Sequence, residues 1–257
     1  MLKRIEHDPD ILELRLDRPP ANALNQALLE ELRGAVEAAP GAGARGLVLS
    51  GRPGMFSGGL DVPELLTLER VGIEALWREF FATLRALAGS PIPIAAAVTG
   101  HSPAGGAVLT LFCDYRVMAD GDFKIGLNET QVGLSLNEAI YGPLRRLVGR
   151  RAAERLAVEG AMIPAPRAHA LGWIDELAPV EAVVGRALDI LRRLLALPPK
   201  AMSDTRGLLR QDLVAMIAHD PAAEAAVTEM WFSEETQGAM RDMVARLAER
   251  RKAKEAT

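Results

Sequence analysis

Two short apolar runs, Gly46-Leu47-Val48-Leu49-Ser50 and Ile94 to Thr99, each pass into a glycine-bearing turn and then into helical spacing. Runs of this length bounded by glycine and proline read as buried strands. Strands and helices alternating in short units imply an α/β fold with mostly parallel strands, because parallel neighbours need a crossover between them. Other stretches fit the scheme. Ile11 to Leu16 alternates apolar and polar and reads as a half-buried strand, while Leu24 to Val36 has helical spacing. Tyr115 to Met118 and Phe123 to Ile125 read as further strands. Beyond Asn128 the pattern is almost wholly helical, broken at Leu197-Pro198-Pro199 and ending in an amphipathic helix from Glu234 to Lys252. The expected organisation is a core over residues 1–197 and a helical region over 198–257. That region either folds on the core or serves oligomerisation.

Composition narrows the function. The chain has 257 residues, 49% of them hydrophobic, and a net charge of -4. With no basic excess to neutralise phosphates, nucleic acid is a poor partner. A membrane is equally poor, since no apolar stretch is long enough to span one. Cys113 is the single cysteine and His7, His101, His169 and His219 are scattered, so neither a disulfide nor a metal site is expected. The N-terminus carries acids and no apolar signal segment, and a cytoplasmic protein is the expectation.

Three segments carry chemistry. Phe56-Ser57-Gly58-Gly59-Leu60-Asp61 places two glycines between a strand and a helix, where the backbone can approach a ligand and turn amides outward. In Gly100-His101-Ser102-Pro103-Ala104-Gly105-Gly106, Ser102 suits an N-cap and Pro103 the first helical position, leaving the amides of Ala104 and Gly105 at a helix start that favours negative charge. Ser102 could cap Gly105 and hide that amide, or cap Ala104 and leave Gly105 free. This segment also imitates a nucleophile elbow, making a serine hydrolase acting through Ser102 the rival reading. Pro103 argues against it, having no N–H for the oxyanion. The third segment, Ile125-Gly126-Leu127-Asn128-Glu129-Thr130-Gln131, sets Glu129 between apolar strand residues and a helix.

Together these segments resemble the crotonase (enoyl-CoA hydratase/isomerase) superfamily. The similarity extends from Leu16-Asp17-Arg18-Pro19-Pro20-Ala21-Asn22-Ala23-Leu24 through Arg150-Arg151-Ala152-Ala153-Glu154 and Ala170-Leu171-Gly172-Trp173-Ile174-Asp175. Within the superfamily, Pro103-Ala104-Gly105-Gly106, Cys113-Asp114-Tyr115-Arg116 and the Glu129 segment are most similar to the mitochondrial-type Δ3,Δ2-enoyl-CoA isomerases.

The resemblance implies a crotonase-like spiral of ββα units with a C-terminal helical oligomerisation region, a homotrimer or dimer of trimers, and an acyl-CoA substrate with no further cofactor. It implies Glu129 as proton shuttle and the Gly58 and Gly105 amides as oxyanion donors. Ala21, Ala23, Leu24, Gly58, Gly59, Leu60, Asp61 and Gly105 are the implied substrate-binding positions. The hydratases' first glutamate falls on Val108, which favours isomerisation of a 3-enoyl-CoA over hydration. The second acid of dienoyl-CoA isomerases falls on Asn137, with Glu138 beside it as the candidate second acid. Hydratase, dienoyl-CoA isomerase, acyl-CoA hydrolase and noncatalytic acyl-CoA-binding roles are the alternatives. The basic run Arg250-Arg251-Lys252-Ala253-Lys254 is either a solvated helix end or a contact for CoA phosphates.

Overall fold

A computed structural model describes the chain except for Pro9, Ala256 and Thr257. It opens with a hairpin, β1 (Leu2–His7) and β2 (Ile11–Leu16), in register from Leu2 opposite Leu16 to His7 opposite Ile11. α1 (Gln26–Ala38) follows, its first turn closed by the Asn25 side chain accepting from the Leu28 N–H. Next come β3 (Gly46–Ser50), β4 (Gly54–Met55), the short α2 (Val62–Leu65) and α3 (Arg70–Gly89). Then β5 (Ile94–Val98) and β6 (Gly100–Pro103) lead to α4 (Gly105–Leu111). β7 (Tyr115–Ala119) and β8 (Lys124–Gly126) lead to a 3-10 turn, Glu129–Val132, and α5 (Glu138–Val148).

These three runs share one topology. The first strand of each, β3, β5 or β7, joins a six-stranded sheet, and the second, β4, β6 or β8, joins a four-stranded one. All three are parallel to their counterparts in the next run. The chain therefore winds as a spiral of ββα units. β3 and β5 are buried at every position, as their unbroken apolar pattern requires.

The remainder is α6 (Arg150–Glu159), β9 (Ile163–Pro164), α7 (Ala165–Ala170), β10 (Glu176–Ala178) and α8 (Val183–Leu195). After the Leu197-Pro198 break come α9 (Pro199–Leu209), α10 (Gln211–Met216), α11 (Pro221–Trp231) and α12 (Glu234–Glu255). β9 and β10 are the exceptions to the almost wholly helical reading beyond Asn128. Both are two or three residues long, too short to show periodicity.

β2 is also not half-buried as its alternation suggested. It is paired on both edges, and Glu13 is fully buried, bonded to Ser50 Oγ at 2.6 Å, Arg15 Nε at 2.8 Å and His7 Nε2 at 2.6 Å. Those bonds hold its carboxyl below the usual range against the opposing effect of burial.

Leu213, Ile217, Trp231 and Met240 of the C-terminal helices belong to the same apolar core as α1, α3 and α4. The boundary at 197/198 thus separates elements that share one core. α9 is the exception, with no buried residue and with Leu208 and Leu209 largely exposed. No helix among the described residues is long and apolar enough to cross a membrane. The side chains of the basic run from Arg250 to Lys254 lie outside the described residues.

Candidate active site

Two loops separated by more than 30 residues are stitched into one ledge. Asn22, fully buried at φ 50, accepts the Arg18 N–H and donates to the carbonyls of Met55 and Phe56 at 3.1 and 3.0 Å. Ser57 Oγ donates back to the Asn22 carbonyl at 2.8 Å. The Gly58 N–H donates to the Ala21 carbonyl at 2.7 Å, the Leu24 N–H to Gly59 at 2.7 Å, and the Asp61 N–H to Leu24 at 2.9 Å. Gly58 is therefore not a free donor, which corrects the motif-based assignment. The parallel bridge between Leu24 and Leu60 uses the atoms flanking Leu60 and leaves the Leu60 N–H without a partner among the described residues.

The second free amide comes from the turn into α4. Ser102 and Pro103 are strand residues of β6, not helix cap and first turn, and Ala104 takes the cap position at φ 45 without a side-chain cap. The Ala104 N–H donates to the Gly126 carbonyl at 2.8 Å. Gly105 is then the first helical residue, whose N–H has no intrahelical partner. Both motifs meet here. A Cβ built on Gly105 would lie 3.1 Å from Leu24 Cδ1 and 3.6 Å from the Leu60 nitrogen, and one on Gly106 would lie 2.7 Å from the Ser57 carbonyl oxygen. Ser102 is fully buried with an unpartnered hydroxyl, and no histidine or carboxylate bonds to it. Its side chain does not line the cavity, so the nucleophile reading has no geometry behind it.

Glu129 opens the 3-10 turn after β8. The turn is pinned from α12, where Thr236 Oγ1 donates to the Gly133 carbonyl at 2.7 Å. Gly133 sits at φ 77 with the Thr236 backbone so close that a Cβ would fall 2.9 Å from its Cα. Glu129 is half-buried as a residue, but its Oε2 is out of solvent contact and has no hydrogen-bond partner. Desolvation pushes its carboxyl up to about 7.

The Leu60 and Gly105 positions and Glu129 open onto one cavity of about 840 Å³. Its lining includes the aromatic cluster Trp77, Phe80 and Phe81, together with Met240, Met243 and Val244 of α12. Ala21, Ala23, Gly58 and Asp61 line it too, whereas Leu24 and Gly59 stand behind the lining. Asp61 is occupied: it caps the Glu64 N–H at 3.1 Å and pairs with Arg18, which also reaches Glu64 at 2.9 Å. Val108 is buried in the core.

Glu138 does not enter. Its side chain is 60% exposed and bridges Arg145 at 2.8 Å, because it begins α5 and points along the helix exterior. His101 faces Phe123 edge-on and accepts the Lys124 N–H at 3.2 Å, away from the cavity lining. Sequence reasoning missed Leu60 as a donor, and Trp77 and Asn128 as lining residues. Only the Leu24–Leu60 register distinguishes the free amide from its neighbours. Among the described residues no group of three or more His, Cys, Asp or Glu side chains could hold a metal ion.

The family model for enoyl-CoA hydratase/isomerase matches residues 6–255. The chain belongs to this family. Its enoyl-CoA hydratase/isomerase relatives include enoyl-CoA delta isomerase 1, mitochondrial, of Homo sapiens, 32% identical over 216 residues that cover 81% of this chain and 72% of the relative. A probable enoyl-CoA hydratase of Mycobacterium avium is 33% identical, covering 76% of each chain. The crystal structure of human mitochondrial delta3-delta2-enoyl-CoA isomerase superposes with a TM-score of 0.92 at 28% identity, over 97% of this chain and 98% of that one. The spiral of ββα units is thus the crotonase fold, and the chain is an enzyme of the enoyl-CoA hydratase/isomerase class.

Proposed function

We propose that this enzyme moves the double bond of a 3-enoyl-CoA to the 2-position, with Glu129 as the only proton carrier. The observation that carries the reading is the buried Glu129 Oε2 sharing an apolar cavity with the Leu60 and Gly105 N–H groups, all three without a partner among the described residues. The thioester oxygen accepts the Leu60 and Gly105 N–H groups. Glu129 takes a proton from C2, and the electron pair passes through the conjugated system onto that oxygen. Each fixed donor at such an oxygen is worth ~3–4 kcal/mol of barrier. Return of the same proton to C4 brings the electrons back and leaves the 2-enoyl thioester. Burial suits Glu129 to this exchange, because a carboxyl ionising near neutrality is a stronger base than one in water.

Hydration needs a second group to activate water, and the other carboxylate on the lining, Asp61, is held by Arg18. That favours isomerisation over the hydratase alternative. The loop carrying Ala21 and Ala23 is the proposed rest for the CoA moiety, so no separate cofactor enters. The exposed leucines of α9 support the proposed homotrimer. The single cysteine, Cys113, has no partner for an internal disulfide, which supports the proposed reducing, cytoplasmic compartment.

The test is incubation with a 3-enoyl-CoA, following 2-enoyl-CoA formation, for wild type and Glu129→Gln. Turnover in the wild type and its loss in the variant, with CoA-ester binding retained, is the expected result. A fully active Glu129→Gln enzyme would remove the mechanism. A wild type that binds the ester without converting it would favour a noncatalytic acyl-CoA-binding role.

A further inference from the structure

Two asparagines bracket the Glu129 segment, and both behave abnormally for their positions. Asn128 precedes the 3-10 turn and Asn137 precedes α5, where an asparagine side chain ordinarily accepts a first-turn N–H. Neither makes a side-chain cap. Each instead lines the cavity with its Oδ1 buried and unpartnered, as is Glu129 Oε2. A forgone cap and an orphaned carbonyl both cost stability. An acyl chain has no hydrogen-bond donor to satisfy that oxygen. Glu129 acquires one whenever it holds a proton.

We infer that Asn137 is a positioning residue for Glu129: its carboxamide oxygen accepts the O–H of the Glu129 carboxyl while that carboxyl carries the substrate proton. The inference rests on the shuttle role proposed above. Asn137 is preferred over Asn128 because it begins a separate element, α5, on the same cavity, whereas Asn128 is the chain neighbour of Glu129 and its backbone leads into the turn.

The hydrogen bond steadies the O–H between its capture from C2 and its return to C4, and it breaks as that same proton passes to carbon. No step beyond the exchange already described is added. Several charged groups on the packed elements are engaged elsewhere, while Glu234, Glu235, Asp242 and Arg246 of α12 have no ion pair among the described residues. Arg18 pairs with Asp61, Glu138 with Arg145, and Arg155 with Glu159 on α6, while Arg241 on α12 bonds Gln237.

Asn137→Ala and Asn137→Asp are the variants, read first by an infrared titration of the Glu129 carboxyl band in the free enzyme, with Glu129→Gln as the difference reference. This readout works whether or not a 3-enoyl-CoA is turned over, so failure of the isomerase reading does not mask the result. Losing the acceptor destabilises the protonated carboxyl, so Asn137→Ala should titrate at lower pH. A carboxylate at 137 repels ionised Glu129, so Asn137→Asp should titrate higher. In kinetics, kcat of Asn137→Ala should fall by about 3- to 10-fold with KM within twofold, the range of one hydrogen bond. Unchanged titration in both variants, or a downward shift in Asn128→Ala but not in Asn137→Ala, would overturn the inference.

Discussion

Gly105 shows how a single missing methyl group decides what the site can do. Its φ is ordinary for a helix, so alanine there meets no backbone strain, yet the added Cβ would stand 3.6 Å from the Leu60 nitrogen. In the proposed mechanism, that is the space the thioester oxygen enters to reach both amides. Gly105→Ala is expected to keep the fold while kcat falls by about 10²-fold, comparable to removing one oxyanion donor. Steady-state kinetics beside a thermal melt would check this; unchanged kcat in a folded variant would rule out Gly105 as part of the oxyanion site. Glu129 and Gly105 could be singled out from sequence through the resemblance of their segments to the crotonase motifs. Leu60 could not, since its side chain carries no chemistry and its role rests on which backbone atoms Leu24 consumes.

At the scale of elements, the C-terminal helices are fastened by arginine. Arg210, nearly buried at the join of α9 and α10, donates to the carbonyls of Leu87 and Ala88 at the end of α3 and of Phe112 at the end of α4. These are carbonyls that helix ends leave without intrahelical partners. It also pairs with Asp114 at 3.1 Å, which Arg206 holds at 2.8 Å. Arg210→Ala strands three buried acceptors but leaves Asp114 with Arg206. The expected loss is about 2–3 kcal/mol, or roughly 4–12 °C in Tm for a chain of this size. Calorimetry measures it, and a shift under 2 °C would mean that the helices are held by apolar contact alone. The carbonyls it serves precede it by about a hundred residues or more, so no local pattern announces the role.

For the molecule as a whole, the raised Glu129 pKa links activity and stability to pH in opposite directions. The proposed shuttle starts from the carboxylate, so kcat/KM should rise with pH through about 7. Stability behaves otherwise. A carboxyl whose folded value lies above its unfolded value of 4.5 contributes stability that is fully present below 4.5 and is lost as pH rises to about 7. Glu129→Gln should therefore be more stable than wild type above pH 7, by on the order of 3 kcal/mol at most, with the advantage vanishing near pH 4. Denaturant melts of both proteins at pH 4.5 and 8 test this. Equal differences at the two pH values would show that burial does not shift Glu129 in the folded state.

Local pattern determined the fold class, the buried strands β3 and β5 and the break before α9, and the resemblance of three motifs supplied the candidate proton carrier. Apolar runs and glycine turns are properties of adjacent residues. The short strands β4, β6, β9 and β10 were beyond reach because two to four residues show no period. Tertiary structure alone decided which amides stay free, that Glu138 turns to Arg145 while Asn137 faces the cavity, and that α12 walls the site. Each of those outcomes depends on hydrogen bonds and packing between segments far apart in the chain, where the competition for each backbone group is settled only once the loops have met.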